Sequence, residues 1–100
     1  MGLLPEISEF FKAIQADSRI GPIHISLYMA IVQRWDACNY CSPVRVYRKE
    51  LMQLAKIYSL TTYHRSIRDL NEFGYIHYKP SCSPLSGNLI YLINSFETWP

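Results

Sequence analysis

The stretch TTYHRSIRDLNEFGYI, residues 61–76, decides the fold, because it contains a helical period, a helix stop and the start of a strand. Four apolar residues recur at i, i+4, i+7 and i+10, the period of a helix with one buried face: Tyr63, Ile67, Leu70 and Phe73. At about 100° per residue, a second set points the opposite way: Thr61, Arg65, Arg68 and Glu72. Gly74 suits the left-handed position that ends many helices. The stretch therefore predicts an amphipathic helix over residues 61–73 with two arginines on its outer face.

Regular elements are predicted on both sides of this helix. Upstream, YRKELMQLAKIY (residues 47–58) has apolar residues at helical spacing, and VRV (residues 44–46) alternates like a short strand. Downstream, YIHYK (residues 75–79) and NLIYLIN (residues 88–94) are rich in β-branched and aromatic residues. The polar segment 80–87 joins these two runs, which predicts a β-hairpin with a long polar tip.

The N-terminal part predicts two more helices. Residues 5–16 carry one apolar stripe, whereas residues 22–36 are apolar nearly all round. The whole chain thus predicts one α+β domain, mainly α, over residues 1–100. It consists of an N-terminal helix extension (residues 1–21) and a core (residues 22–96) with the winged helix-turn-helix order of four helices, a short strand and a C-terminal hairpin. Two helices joined by a short turn must cross, which leaves the outer face of the second free to enter a groove.

Several motifs resemble a known family over residues 24–93. SLTTYHRSIRDLNEFGYI (residues 59–76) is similar to the turn and recognition helix of bacterial winged-helix regulators. Together with ISLYMAIVQRW, RKELMQLAKI and SPLSGNLIYL, it resembles the short transcriptional-regulator-like proteins of Bacteroidetes mobile elements. The resemblance implies DNA binding by a transcriptional regulator or an accessory factor of a mobile element. The chain departs from the family pattern at Tyr47, where Ser or Thr usually opens the third helix, and at Cys82 in the wing.

Three groups of residues are the candidate DNA contacts. Arg binds guanine with two hydrogen bonds and Thr contacts phosphate or a thymine methyl, so the outer face of the fourth helix suits a major groove: Thr61, Thr62, His64, Arg65 and Arg68. Arg48 and Lys49 open the third helix, where cations and backbone amides hold phosphate. The wing offers polar contacts to phosphate or the minor groove: Lys79, Ser81, Ser83, Ser86 and Asn88. The alternative for each group is a solvated polar surface.

The charge balance limits this hypothesis. Ten Lys and Arg against eight Asp and Glu leave a net charge of only +2, so a purely electrostatic, histone-like binder is excluded. The basic residues concentrate between residues 45 and 79, but Asp69 and Glu72 on the proposed reading helix count against DNA contact. The competing hypothesis is a winged-helix protein-interaction module without DNA binding.

We expect a homodimer, because one such domain reads only a short site and dimers pair two half-sites. The candidate interface comprises the N-terminal helix and one face of the helix over residues 22–36: Phe10, Phe11, Ile25, Met29 and Val32. Alternatively, these two faces cover each other inside one monomer.

Other functions find little support in the sequence. Cys38 and Cys41 form a single C-x-x-C, whereas zinc sites pair two such sets, so we expect buried thiols and no metal or cofactor. The alternative is a redox pair, for which the motif lacks the usual strand-to-helix setting. His24, His64 and His77 have no obvious Asp partner, and neither a phosphate loop nor a nucleophile elbow is present, so no enzyme is expected. No leader or membrane span is predicted, which favours a reduced cytoplasmic location.

Overall fold

The computed structural model describes residues 3–81 and 86–93, with side chains described from Ile7 onward. Cys82, Ser83 and Asn94, which the sequence analysis placed in the wing, lie outside the described residues. The elements follow in the order α1 (Leu3–Gln15), α2 (Pro22–Ala37), β1 (Val44–Val46), α3 (Arg48–Ala55), α4 (Leu60–Glu72), β2 (Ile76–Lys79) and β3 (Asn88–Leu92). The mainly helical α+β class and the order of the elements are confirmed.

The three strands form one antiparallel sheet in the order β1-β3-β2. Val44 of β1 pairs with Ile90, and Ile76 of β2 pairs with Leu92. The sequence predicted β1 as a short strand without assigning its partner, and the structure pairs it with β3, so it extends the hairpin to three strands. Its Val-Arg-Val alternation explains this, because both valines reach the core while Arg45 faces solvent.

Helix α2 is the centre of the core and packs against α3, α4 and β1. Five of its residues are buried: Leu27, Tyr28, Ala30, Ile31 and Val32. Most of its apolar surface is therefore used within the chain, whereas Ile23 in its first turn is exposed. Ser26 on the same helix donates a hydrogen bond of 2.5 Å to the carbonyl oxygen of Ala55 at the end of α3. This bond adds a polar link between α2 and α3.

Helix α1 covers the core through Phe10. The Phe10 ring stacks on Tyr28 with 3.9 Å between ring centroids and meets the edge of Tyr75 at 5.5 Å. Phe10 is 3% exposed, whereas the neighbouring Phe11 is 39% exposed. Phe10 and Val32 of the candidate dimer interface are thus buried within one chain.

The ends of α3 and α4 follow from local chemistry. Tyr47 precedes α3 and supplies no side-chain cap, as the sequence predicted. Ser59 caps α4 by accepting a hydrogen bond of 3.2 Å from the backbone N–H of Thr62. This cap starts α4 at Leu60, one residue before the predicted start. Gly74 ends the helix region with φ of 91°, which confirms its predicted left-handed conformation.

The prediction that Cys38 and Cys41 are buried thiols is wrong. Cys38 and Cys41 are joined in a disulfide with 5.7 Å between their Cα atoms, and Cys41 is exposed. Asn39 and Tyr40 between them both have positive φ, which curls the chain back on itself after α2. A spacing rule based on helix or strand geometry misses this turn, because consecutive left-handed residues other than Gly are uncommon.

Candidate nucleic-acid interface

The outer face of α4 presents the residues that the sequence predicted to read DNA. Thr61, His64, Arg65 and Arg68 are exposed, and Thr62 is half-buried. The inner face holds the helix against the core through four buried residues: Tyr63, Ser66, Ile67 and Leu70. Ser66 was not predicted on the inner face, because its small polar side chain gives no hydrophobic signal in the sequence.

Seven of the ten basic residues share one property: they make no ion pair within the described part of the chain. They are Arg45, Arg48, Lys49, Lys56, Arg65, Arg68 and Lys79. The other three are paired, Lys12 with Glu9, Arg19 with Asp17 and Arg34 with Glu50. The uncompensated positive charge therefore lies between residues 45 and 79, although the whole chain carries only +2. Such a concentration of unpaired cations favours a polyanionic ligand.

Asp69, which the sequence analysis counted against DNA contact, is engaged by His24. The Nε2 atom of His24 lies 2.9 Å from Oδ2 of Asp69, and the Nδ1 atom accepts a hydrogen bond of 3.0 Å from Gly21 N–H. Because Nδ1 accepts, the neutral imidazole carries its proton on Nε2, and the Nε2–H group donates a hydrogen bond to Asp69. The expectation that no histidine has an Asp partner is wrong, since 45 residues separate this pair in the chain. Glu72 makes no ion pair within the described residues.

A second cluster supports the C-terminal end of α4. Asp17 accepts two hydrogen bonds from the Arg19 guanidinium, at 2.7 and 2.8 Å, and one of 2.7 Å from the Tyr75 hydroxyl. These bonds, first Arg19 and then Tyr75, hold the pKa of the Asp17 carboxyl well below its usual range. The Arg19 guanidinium also lies 4.0 Å from the centroid of the Phe73 ring. The loop after α1 thereby fixes the residue that follows α4.

The start of α3 brings Arg48 and Lys49 to the surface. Glu50 in the same turn lies 3.5 Å from Nε of Arg34, so its charge is partly compensated by α2. Burial raises the pKa of Tyr63 on α4, and the positive charge of Arg48 opposes part of this rise.

The hairpin uses some of its predicted contact residues for its own structure. Asn88 is half-buried, and its Oδ1 accepts a hydrogen bond of 3.0 Å from the backbone N–H of Ser81. Arg45 of β1 donates a hydrogen bond to the carbonyl oxygen of Ser86, which links β1 to the hairpin. Lys79 remains exposed, with its Nζ 5.9 Å from the Tyr91 ring centroid. Among the wing residues, Lys79 is the strongest candidate for contact with an anionic ligand.

Gly87 explains how the hairpin approaches β1. It has φ of 71°, and a Cβ atom there would lie 2.9 Å from both the Tyr47 ring and the Val46 carbonyl oxygen. Only glycine fits this close approach. The sequence placed Gly87 in the polar segment 80–87 and gave no signal for this close approach, nor for the bond of Arg45, because a lone arginine in a three-residue strand has no distinguishing pattern.

Within the described residues, no group of three or more His, Cys, Asp or Glu side chains could hold a metal ion. None of the helices in this part of the chain is long and apolar enough to cross a membrane. Comparison of the chain with protein-family models, with curated proteins and with solved structures finds no match.

Proposed function

We propose that this chain is a winged-helix protein that binds double-stranded DNA sequence-specifically, with α4 in the major groove. The observation that carries the proposal is the set of seven basic residues without ion pairs, two of which, Arg65 and Arg68, lie on the exposed face of α4. A helix whose inner face is buried and whose outer face carries unpaired arginines fits the groove-reading arrangement of helix-turn-helix proteins. Regulation of transcription, or an accessory role on a mobile element, is the biological setting of this proposal.

The residues divide into two roles. Arg65 and Arg68 supply base reading, with Thr61, Thr62 and His64 as neighbouring contacts on α4. Arg48, Lys49 and Lys79 hold phosphates on either side of the groove, and Ser81 adds a polar contact from the wing. Asn88 has a smaller role in binding, because its Oδ1 is taken by Ser81 N–H.

Selection from a random duplex pool, followed by a salt titration, tests the proposal. We expect the wild type to enrich one motif and to lose affinity steeply with salt, because bound phosphates release counterions. The double variant Arg65→Ala/Arg68→Ala should remain folded and lose enrichment. The matched control is Lys12→Ala, which removes an exposed cation on α1 and should leave the enriched motif unchanged. Equal enrichment by the arginine double variant would overturn the assignment of α4.

The second candidate function, a protein-interaction module, has its own observation. Three large apolar side chains are exposed around the turn between α3 and α4: Leu54, Tyr58 and Leu60, with Tyr58 85% exposed. Of the three, Tyr58 lines a groove between α2 and the end of α3, together with Pro22 and Ile23. The same salt titration separates the two functions, since an interaction module should bind no duplex even at low salt.

A homodimer completes the DNA-binding proposal, because two half-sites give more specificity than one. Phe10 and Val32 are buried in the monomer, whereas Phe11 on α1 is exposed and Ile25 and Met29 on α2 are half-buried, so these three residues are left to contribute there. Sedimentation at micromolar concentration tests this part. A single species with the mass of one chain, 11.7 kDa, would contradict the proposed dimer. Such a result would leave DNA binding by the monomer untouched.

A further inference from the structure

The outward face of the three-stranded sheet carries side chains that the duplex-binding proposal, apart from Lys79, does not use. Side chains alternate along each strand, so residues opposite Val44, Val46, Ile76 and Ile90 point away from the helices. The register places Arg45 and Lys79 on either side of Leu89 in one row across the sheet. His77 pairs with Tyr91 in the next row. Arg45, His77 and Lys79 are exposed, and Leu89 and Tyr91 are half-buried.

This face combines aromatic rings with positive charge. The Tyr91 ring lies near two residues of β2: Lys79, whose Nζ is 5.9 Å from the ring centroid, and His77, whose ring centroid is 5.6 Å away. Arg45 is held across the sheet by its hydrogen bond to the Ser86 carbonyl oxygen. The three strands contain no Asp or Glu, and Arg45 and Lys79 make no ion pair within the described residues.

This combination has a definite ligand chemistry. Single-stranded nucleic acid binds where aromatic rings stack with unpaired bases and nearby cations follow the phosphates. A duplex does not present base faces to a ring in the middle of a sheet, because its bases are stacked on one another. An acidic peptide supplies the negative charge but gains nothing from the flat ring of Tyr91. Charge complementarity together with the ring therefore favours a single strand over both.

We propose that the outward sheet face binds single-stranded DNA or RNA of any sequence, with a base stacked on Tyr91 and phosphates held by Arg45 and Lys79. His77 extends the stacking surface across the sheet, from Tyr91 on β3 to the neighbouring strand β2. This site is separate from the outer face of α4, and only Lys79 serves both. Binding here does not require that α4 read a duplex.

Fluorescence anisotropy with a labelled fifteen-nucleotide oligo-dT at low salt tests this site. We expect Tyr91→Val to weaken binding at least about five-fold, the lower end of what one base–aromatic stack contributes. Valine is chosen because it keeps strand propensity in β3. The matched control Tyr91→Phe retains the ring and should bind within about two-fold of the wild type. Circular dichroism and thermal melting establish that the variants fold.

Two further variants separate this site from the proposed duplex interface. Arg45→Gln changes an exposed side chain and should weaken oligo-dT binding and reduce its salt dependence. Arg65→Ala/Arg68→Ala should leave oligo-dT binding unchanged while duplex selection is lost. The sheet-face site is overturned if the wild type does not bind oligo-dT, or if Tyr91→Val and Tyr91→Phe bind equally well. It is also overturned if the α4 double variant loses oligo-dT binding, or if a polyglutamate peptide competes as well as oligo-dT.

Discussion

His24 and Asp69 join the start of α2 to the last turns of α4, with 2.9 Å between Nε2 and Oδ2. The pair orients the Asp69 carboxylate, and the neutral imidazole leaves its negative charge on the proposed DNA-binding helix. It also fixes α4 relative to the central helix of the core, because His24 is anchored at its other nitrogen by Gly21 N–H. One hydrogen-bonded chain thus contributes both to the packing of α4 and to the charge of its surface.

The pair predicts different outcomes for its two members. His24→Ala removes two part-buried hydrogen bonds and should lower the free energy of unfolding by about 1–2 kcal/mol. Asp69→Asn keeps an acceptor oxygen and removes a negative charge, so it should change stability little and raise affinity for duplex DNA. Urea denaturation and the DNA titration measure the two effects. Weaker DNA binding by a folded Asp69→Asn variant would contradict the charge argument.

The hydroxyl of Tyr63 is buried and has no hydrogen-bond partner within the described part of the structure. Tyr63→Phe should therefore leave stability unchanged or raise it by up to about 1 kcal/mol, because no bond is lost and an unpaired polar atom is removed. Tyr75→Phe is the matched control, since it loses the 2.7 Å bond to Asp17 and should destabilise. Thermal unfolding measures both, and destabilisation by Tyr63→Phe would indicate that its hydroxyl has a partner.

The Asp17 cluster predicts a loss of stability in acid. The bonds from Arg19 and Tyr75 depress the pKa of Asp17 in the folded state, so its contribution is fully present above the unfolded pKa of about 4. This contribution is lost progressively as the pH falls below about 4 toward the folded pKa. Arg19→Ala should flatten that part of the stability profile. Urea denaturation between pH 2 and pH 6, compared with Lys12→Ala, tests the prediction; parallel profiles for Arg19→Ala and the wild type would refute it.

Two adjacent phenylalanines on α1 should respond very differently to truncation. Phe10→Ala removes a ring stacked on Tyr28 and should cost about 3–5 kcal/mol. Phe11 is 39% exposed, so Phe11→Ala should cost less than about 1 kcal/mol in the monomer. Chemical denaturation at low protein concentration gives both values. Similar costs for the two variants would mean that α1 does not pack through Phe10.

The disulfide between Cys38 and Cys41 should contribute modestly to stability. It closes a loop of sequence separation 3, and the chain-entropy relation gives about 2 kcal/mol for so short a loop. Reduction by a dithiol, or Cys38→Ser/Cys41→Ser, should lower the free energy of unfolding by about this amount. Adding the reductant to the double variant should not change its free energy of unfolding, because the Cys38–Cys41 bond is already absent. A loss of stability in that control would mean that the reductant acts on another group.

Local pattern was sufficient for much of the fold. The period of Tyr63, Ile67 and Leu70 defined the buried face of α4, and the same period left Arg65 and Arg68 outside. Gly74 marked the end of that helix region. These features depend on neighbours within a turn or two of the chain, so the sequence contains the information needed to predict them.

Contacts between distant residues were not predictable in the same way. The joining of β1 to the hairpin and the Phe10–Tyr28 stack depend on backbone paths that propensity does not encode. The His24–Asp69 bond is the clearest case, because neither residue carries a local signal for the other.

The sequence by itself determined which face of each helix is apolar, where α4 ends and where the basic residues concentrate. Tertiary structure alone decided which polar side chains are paired: it brought His24 to Asp69 and Arg34 to Glu50, and left the basic residues from Arg45 to Lys79 without ion pairs in the described chain. The physical reason is the separation along the chain of the residues that each feature depends on. Hydrophobic periodicity is set by residues three or four positions apart, whereas an ion pair or hydrogen bond requires atoms within a few ångströms, a distance that only packing creates.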